Sequence, residues 1–172
     1  MVEGRFRVPS GRIAPIAVAV LLGAPPAIGA PAGGADRMPT RTLVSVASVR
    51  AAAKLRRPEC REVLSDFRDA SGRRLSEILE ERRTSANAFL ASLIFVDGRG
   101  VARCAGGGVA AGANPGTIFI GVCKDTFARV QAADPGLAAN IVIHEMLHAL
   151  GLGEDPPTSG EINRQVAKRC GP

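Results

Sequence analysis

The chain of 172 residues contains no Trp and no Tyr, and aromatic residues make up only 3% of it. Single-stranded nucleic acids stack on aromatic side chains, and duplexes bind to clustered basic residues. The net charge is +6, but the basic residues are interspersed with acidic ones. Charges dispersed in this way indicate an ordinary solvated surface. We therefore expect no nucleic-acid partner.

The sequence also lacks an apolar run of the roughly 20 residues that a membrane-spanning helix requires. The apolar run at residues 13–24 contains Pro15, follows three arginines and precedes small residues that include Ala30-Pro31-Ala32. This order is typical of a secretory signal peptide, cleaved after Ala32 or alternatively after Ala35. We predict a signal peptide over residues 1–32, a flexible leader over 33–42 and one domain over 43–172. The protein is then secreted or periplasmic, without a stable membrane anchor.

Cysteine is scarce, and no two cysteines form a C-x-x-C pair, which argues against a cysteine-based zinc site. The four cysteines of an exported chain predict two disulfides, for which three pairings are possible. We favour Cys104–Cys123, which would join two neighbouring strands, and Cys60–Cys170, which would join the start of the domain to its end.

Histidine occurs only twice, and both copies lie in one pentapeptide, His144-Glu145-Met146-Leu147-His148. Two histidines four residues apart on a helix point in the same direction and can bind one zinc ion. The glutamate between them then lies beside the metal, where it can take a proton from an attacking water. The alternative interpretation is a pair of packed or solvated histidines without a metal.

The pentapeptide lies on a predicted helix whose two ends are marked in the sequence. Asp134 and Pro135 supply an N-cap residue and a proline at the first helical position. Gly151 or Gly153 supplies the glycine that commonly ends a helix. One face of this helix carries both histidines, and an adjoining apolar face can pack on a sheet.

A third metal ligand is expected near the end of this helix, because catalytic zinc sites usually have three protein ligands. From the first histidine the sequence reads H-E-x-x-H-x-x-G-x-x-E, in which the last two defined positions are Gly151 and Glu154. Glu154 is the first candidate, and Asp155 and Glu161 are the alternatives. Glu161 also completes a capping box with Thr158 at the start of the last helix.

Over residues 144–154 the chain resembles the zincin metallopeptidases, and most of all the metzincin branch, whose pattern is H-E-x-x-H-x-x-G-x-x-H. The resemblance implies zinc bound by His144, His148 and Glu154, with Glu145 as the general base that lets a zinc-activated water hydrolyse a peptide or protein substrate. Glu154 replaces the family's third histidine, and the family's later methionine turn is absent because Met146 is the last methionine. Residues 148–162 also resemble uncharacterised exported bacterial proteins with zinc-peptidase motifs.

A second function is open at this point, namely a non-catalytic, disulfide-bonded binding module with a structural zinc ion or none. Many zinc peptidases stabilise the oxyanion with a tyrosine or a further histidine, and this chain has neither. A peptidase would then depend on zinc, a backbone N–H or an arginine, for which Arg164 is the candidate. The same zinc chemistry also serves hydrolases of non-peptide amides.

The remaining segments predict an α+β domain in which a small, mostly antiparallel sheet packs on the helix with the histidines, between flanking N- and C-terminal helices. Helices are expected at 58–67 and 73–83, where apolar residues follow helical spacing. Two more are expected at 43–57, which is rich in helix formers and stops at Pro58, and at 161–169, which the Thr158 capping box opens. Residues 43–49 could instead form a short strand, and residues 124–133 a turn or a short helix.

Two apolar runs predict strands, at residues 89–96 and 117–123. The Asp97-Gly98 dipeptide after the first run is a typical hairpin turn, and it predicts a partner strand over 101–104. The second run is expected to be buried in the sheet, although as an exposed edge it could pair with an extended peptide.

Overall fold

The computed structural model describes residues 39–99 and 102–171, with only the backbone described at Ala102 and Arg103. The predicted signal peptide and residues 33–38 of the predicted leader lie outside this part of the chain. Among the residues that are described, none of the helices has both the length and the apolar character needed to cross a membrane.

The described chain folds into an α+β domain, as predicted, with nine helices and three strands. In chain order the elements are α1 (Thr40–Leu55), α2 (Pro58–Arg61), α3 (Val63–Asp66), α4 (Leu75–Glu81), α5 (Ala86–Ser92), β1 (Ile94–Asp97), α6 (Ala102–Ala105), β2 (Ala111–Ala113), β3 (Phe119–Val122), α7 (Lys124–Ala133), α8 (Pro135–Leu150) and α9 (Ser159–Cys170).

Helix α8 carries both histidines and lies at the centre of the domain, where α1, α7, α9 and β2 pack against it. Most of its apolar side chains, among them Ile143 and Leu147, are fully buried, whereas Leu137 in the first turn is exposed. Both predicted ends are confirmed: the Asp134 side chain accepts hydrogen bonds from two N–H groups of the first turn, and Gly151, with φ of 118°, ends the helix. The central helix is therefore fixed by local sequence signals and by burial together.

The flanking helices follow the prediction closely. Helix α1 confirms the helix expected at 43–57 but begins at Thr40, so the last residues of the predicted leader belong to it. The helix expected over 58–67 is divided into α2 and α3, with Glu62 between them. The capping box at the start of α9 is also present, because Thr158 and Glu161 bind each other's backbone N–H.

The sheet is mixed, and the prediction of a mostly antiparallel sheet is wrong in this respect. The strand order is β1-β3-β2, with β1 parallel and β2 antiparallel to β3. The predicted hairpin is wrong as well, because residues 102–105 form helix α6 and β1 pairs with β3. The Asp97 carboxylate accepts a hydrogen bond from the Arg99 N–H and lies 3.3 Å from the Lys124 ammonium. These two contacts hold the residues after β1 in a turn that leads away from β1 and does not fold back on it as a hairpin. Since β3 is central, the 117–123 run is not an exposed edge.

The first predicted strand, at 89–96, is also corrected, because its first half belongs to helix α5 and only residues 94–96 are part of β1. The Ser85 side chain accepts a hydrogen bond from the Ala88 N–H and so begins this helix. Ala86, Phe89 and Leu90 follow at helical spacing and are buried. The N-cap and the three- and four-residue spacing outweigh the apolar character of the run.

Both predicted disulfides are present. Cys60–Cys170 joins α2 to the end of α9, across 110 residues of sequence. Cys104–Cys123 joins α6 to the residue that follows β3, and not two strands as expected. Disulfides persist in oxidising compartments, so the presence of these two disulfides is consistent with an exported protein.

Candidate metal centre

Three side chains from the end of α8 and the loop after it converge on one point. The Nε2 atoms of His144 and His148 lie 2.9 Å apart. Glu154 Oε1 lies 3.7 Å from Nε2 of His144 and 3.4 Å from Nε2 of His148. These three side chains can therefore hold a metal ion, and each offers one ligand atom.

The separations of the three ligand atoms fit the size of a zinc ion. Atoms at these distances share a point in their common plane that lies about 1.95 Å from each, and zinc bonds to histidine nitrogen or carboxylate oxygen are about 2.0–2.2 Å long. His144, His148 and Glu154 could therefore hold a zinc ion through these three atoms.

The orientation of His148 is fixed by the end of its own helix. Its Nδ1 lies 2.7 Å from the carbonyl oxygen of Leu152, which can only accept a hydrogen bond. Nδ1 therefore carries the proton, and the lone pair is on Nε2, which faces the other ligands. The Leu152 carbonyl is in place because Gly151 adopts the left-handed conformation and turns the chain back over the helix.

The orientation of His144 is fixed by a different helix. Its Nδ1 lies 2.8 Å from Oδ1 of Asn163 on α9, and the amide oxygen accepts the Nδ1 proton. Hydrogen bonds of this type set the tautomer of a histidine ligand and hold its ring in place. Asn163 was not among the residues predicted from sequence. It binds Nδ1 of His144, the ring nitrogen that faces away from the other ligands, and no local sequence motif indicates such a residue.

The close approach of the two Nε2 atoms calls for a cation between them. With both Nδ1 atoms protonated, two lone pairs face each other at 2.9 Å, unless a proton or a metal ion lies between the rings. Burial, and then the neighbouring His148, lower the pKa of His144, which disfavours the protonated ring. A metal ion is therefore the better match to this pair of side chains.

The structure separates the three candidates for the third ligand. Glu154 is the one whose carboxylate meets the histidines, and its side chain is 40% exposed. Glu161 is occupied by the capping box, since its Oε2 accepts hydrogen bonds from the N–H and the hydroxyl of Thr158 at 2.8 Å each. Asp155 is exposed and is not part of the ligand cluster found among the described residues.

Glu145 and the ligands line one cleft with a volume of about 330 Å³. Glu145 is only 5% exposed, and it is held on the same buried stretch of α8 as the histidines. Arg164, the candidate for oxyanion stabilisation, is exposed on α9 and does not line this cleft. The cleft is lined by Val109, Ala111, Gly112, Ala113, His144, Glu145, His148, Glu154 and Ser159.

One wall of the cleft is β2, which is an edge strand among the strands that the structure describes. In the antiparallel β2–β3 pair, the Cys123 N–H donates to the Ala110 carbonyl, so alternate residues of β2 bond to β3. The backbone N–H and C=O of Ala111 and Ala113 consequently point away from β3. The Gly116 N–H donates to the His148 carbonyl at 2.9 Å and ties the loop after β2 to the end of α8.

The structure thus brings His144, His148, Glu154 and Glu145 together at one cleft, whereas Arg164 lies outside it. No family model matches the chain, and it has no match among curated proteins or solved structures. Its function is therefore inferred from the chemistry of this cleft.

Proposed function

We propose that the chain is an exported zinc-dependent peptidase in which His144, His148 and Glu154 bind zinc and Glu145 is the general base. The observation that carries the proposal is the convergence of the three ligand atoms at zinc-bonding distance from one point. Two imidazoles and one carboxylate are a common ligand set of catalytic zinc sites, whereas calcium and magnesium prefer oxygen ligands alone.

The number of ligands favours a catalytic site over a structural one. Structural zinc sites are usually closed by four protein ligands, and catalytic sites keep the fourth position for water or substrate. Within residues 39–99 and 102–171 this cluster contains three ligand side chains, and it opens on the cleft that Glu145 also lines. A binding module with a structural zinc ion would not need this opening.

The residues around the cleft supply the other parts of a hydrolytic reaction. Bound zinc acts as a Lewis acid that polarises a carbonyl group and lowers the pKa of water. The Glu145 carboxylate accepts a proton from the attacking water and delivers it to the nitrogen of the leaving amine. The outward N–H and C=O groups of Ala111 and Ala113 hold an extended substrate along β2, and such an N–H can take the place of the missing tyrosine at the oxyanion.

Metal analysis of the purified mature protein tests the ligand assignment. We expect about one zinc ion per chain, lost in His144→Ala and in His148→Ala, because two remaining ligands do not hold zinc firmly. Asp155→Ala serves as the control and retains the metal, since Asp155 is exposed and outside the ligand cluster. Folded wild-type protein without zinc affinity would contradict the proposal.

Substitution of the general base tests the catalytic part. Glu145→Gln removes a proton acceptor and keeps the shape, so zinc stays bound while peptide hydrolysis falls by about 10²–10⁴-fold. Hydrolysis of a peptide library, followed by mass spectrometry with and without chelator, gives the measurement, and the exposed Glu59→Gln is the matched control. Equal hydrolysis by Glu145→Gln would reject the base. Zinc binding by a wild-type protein that cleaves nothing would favour the binding module.

A further inference from the structure

The face of the sheet that points away from the core is apolar and open to solvent. Ile94 and Val96 of β1 and Phe119 of β3 are 42%, 41% and 56% exposed. The register pairs Ile94 with Phe119 and Val96 with Gly121, so these side chains share one face. The opposite face is buried, as Ile120 and Val122 show. Exposed apolar residues that adjoin one another on one face form a candidate binding surface.

Two glycines turn this face into a depression. Gly112 of β2 and Gly121 of β3 are register partners, and Val96 lies next to them on β1. Because neither glycine has a side chain, a cavity of about 270 Å³ lies between the walls formed by Val96, Val109 and Phe119. We call this cavity the outer trough. Among the lining residues that the structure describes, none is charged, and Asn114 supplies the one polar side chain.

The outer trough and the metal cleft adjoin each other across β2. Val109, Ala111, Gly112 and Ala113 line both of them. A peptide extended along the free edge of β2 places successive side chains on opposite faces of the sheet. One set then points towards the helix with the histidines, and the other set points over the outer trough.

We propose that the outer trough is a specificity subsite that accepts one large apolar side chain of an extended peptide substrate. The proposal rests on the peptidase function proposed above and identifies the class of substrate. Continuity with the metal cleft favours this occupant over a second copy of the chain. The described lining residues are uncharged, and this disfavours acidic and basic side chains of the substrate, because none of these residues would pair with a buried charge.

Gly121 allows the trough to be filled without disturbing the metal centre. A Cβ atom at this position would meet only the Gly112 carbonyl oxygen, at 3.6 Å, which is ordinary van der Waals contact. Gly121→Leu therefore places a side chain in the cavity that the substrate would occupy. Val49→Ser removes an exposed apolar residue of α1 and is the matched control.

Peptide binding can be measured without cleavage and without interfering fluorescence, because the protein contains no Trp or Tyr. The probe is a peptide of about ten Ser and Ala residues with one central Trp, added to the Glu145→Gln protein. We expect a blue shift of the Trp emission and a Kd that rises about tenfold or more in Gly121→Leu and not in Val49→Ser. A Leu version of the peptide should compete, and an Asp version should not.

Unchanged binding in Gly121→Leu, or no binding to either protein, would overturn the proposal. The proposal would also be overturned if sedimentation shows a dimer that Gly121→Leu dissociates, with no peptide binding, because the face would then serve self-association.

The peptidase proposal and the subsite proposal fail in different experiments. If Gly121→Leu weakens peptide binding but the wild-type protein cleaves no peptide, the peptidase proposal is rejected and the subsite proposal stands. Cleavage without preference for an apolar side chain at a fixed position rejects the subsite alone. Zinc affinity of Gly121→Leu equal to wild type confirms that the variant is folded.

Discussion

The two histidines of the candidate metal centre are oriented by different parts of the molecule. His148 donates to the Leu152 carbonyl, four residues further on, in the turn that ends its own helix. His144 donates to Asn163, 19 residues further on, on a separate helix. The first bond forms when the end of α8 forms. The second requires α9 to be packed in the correct position.

Helix α9 is held in that position by contacts far from the cleft. Cys170 is bonded to Cys60, and the Arg169 guanidinium binds the Asp66 carboxylate at 2.7 Å. The Thr158 capping box fixes where the helix begins and hence where Asn163 lies on it. One ligand thus depends on local backbone geometry and the other on tertiary packing. Each dependence can be disturbed separately.

The largest effect is expected from Gly151→Ala, which disturbs the support of His148. The φ of 118° makes any side chain unfavourable here, and an added Cβ atom would lie only 3.3 Å from Asp69 Cβ. We expect a loss of about 1–3 kcal/mol in the free energy of unfolding, measured by urea denaturation. The Kd for zinc should rise by about 100-fold, the upper end of the usual loss, because the Leu152 carbonyl and Glu154 move together.

Gly153→Ala is the control for this substitution, since Gly153 has no positive φ and open space around it. It should leave both zinc affinity and stability close to wild type. Equal effects of Gly151→Ala and Gly153→Ala would show that the turn does not position the site.

A smaller effect is expected from Asn163→Ala, which removes the support of His144. The Kd for zinc should rise by about 10–100-fold, the usual loss when the outer partner of a histidine ligand is removed. The free energy of unfolding of the metal-free protein should change by less than about 0.5 kcal/mol, because Asn163 is exposed on α9.

Two further variants separate positioning from general damage to α9. Asn163→Asp keeps an acceptor for Nδ1 and should retain more zinc affinity than Asn163→Ala. Arg164→Ala, one residue further along α9 and outside the cleft, should retain it fully. A metal-free protein that loses stability in Asn163→Ala, with unchanged zinc affinity, would instead indicate a purely structural role.

Local signals were sufficient to predict much of this centre. The histidine spacing, the Asp134 cap, the terminal glycine and the Thr158 capping box all lie within a few residues of the group they position. The sheet could not be predicted in the same way, because nothing local indicates that β1 pairs with β3 in parallel. The Asp97-Gly98 dipeptide predicted a hairpin, but a hairpin also requires a second strand, and residues 102–105 are helical.

The smallest effect concerns pH and the zinc-free protein. Burial lowers the pKa of His144 below its usual value of about 6.5, so near that pH the unfolded chain binds more protons than the folded one. The free energy of unfolding should therefore decrease as pH falls below about 6.5. Urea denaturation of chelator-treated protein between about pH 7 and pH 5 measures this.

His144→Asn removes the titrating group and should flatten this profile. Asp66 and Asp97 titrate below the pH range of this experiment, because hydrogen bonds to Arg169 and Arg99 lower the pKa of these two carboxyl groups. A wild-type profile as flat as that of His144→Asn would contradict the prediction.

The disulfide between Cys60 and Cys170 gives the metal centre an order of completion. During synthesis both histidines and Glu154 leave the ribosome before the helix that carries Asn163. That helix becomes covalently attached only when its last residue meets Cys60, a reaction that belongs to oxidising compartments. Until this disulfide forms, the histidine pair therefore has one of its two supports without a covalent anchor. Full affinity for a metal ion should then be acquired only under oxidising conditions.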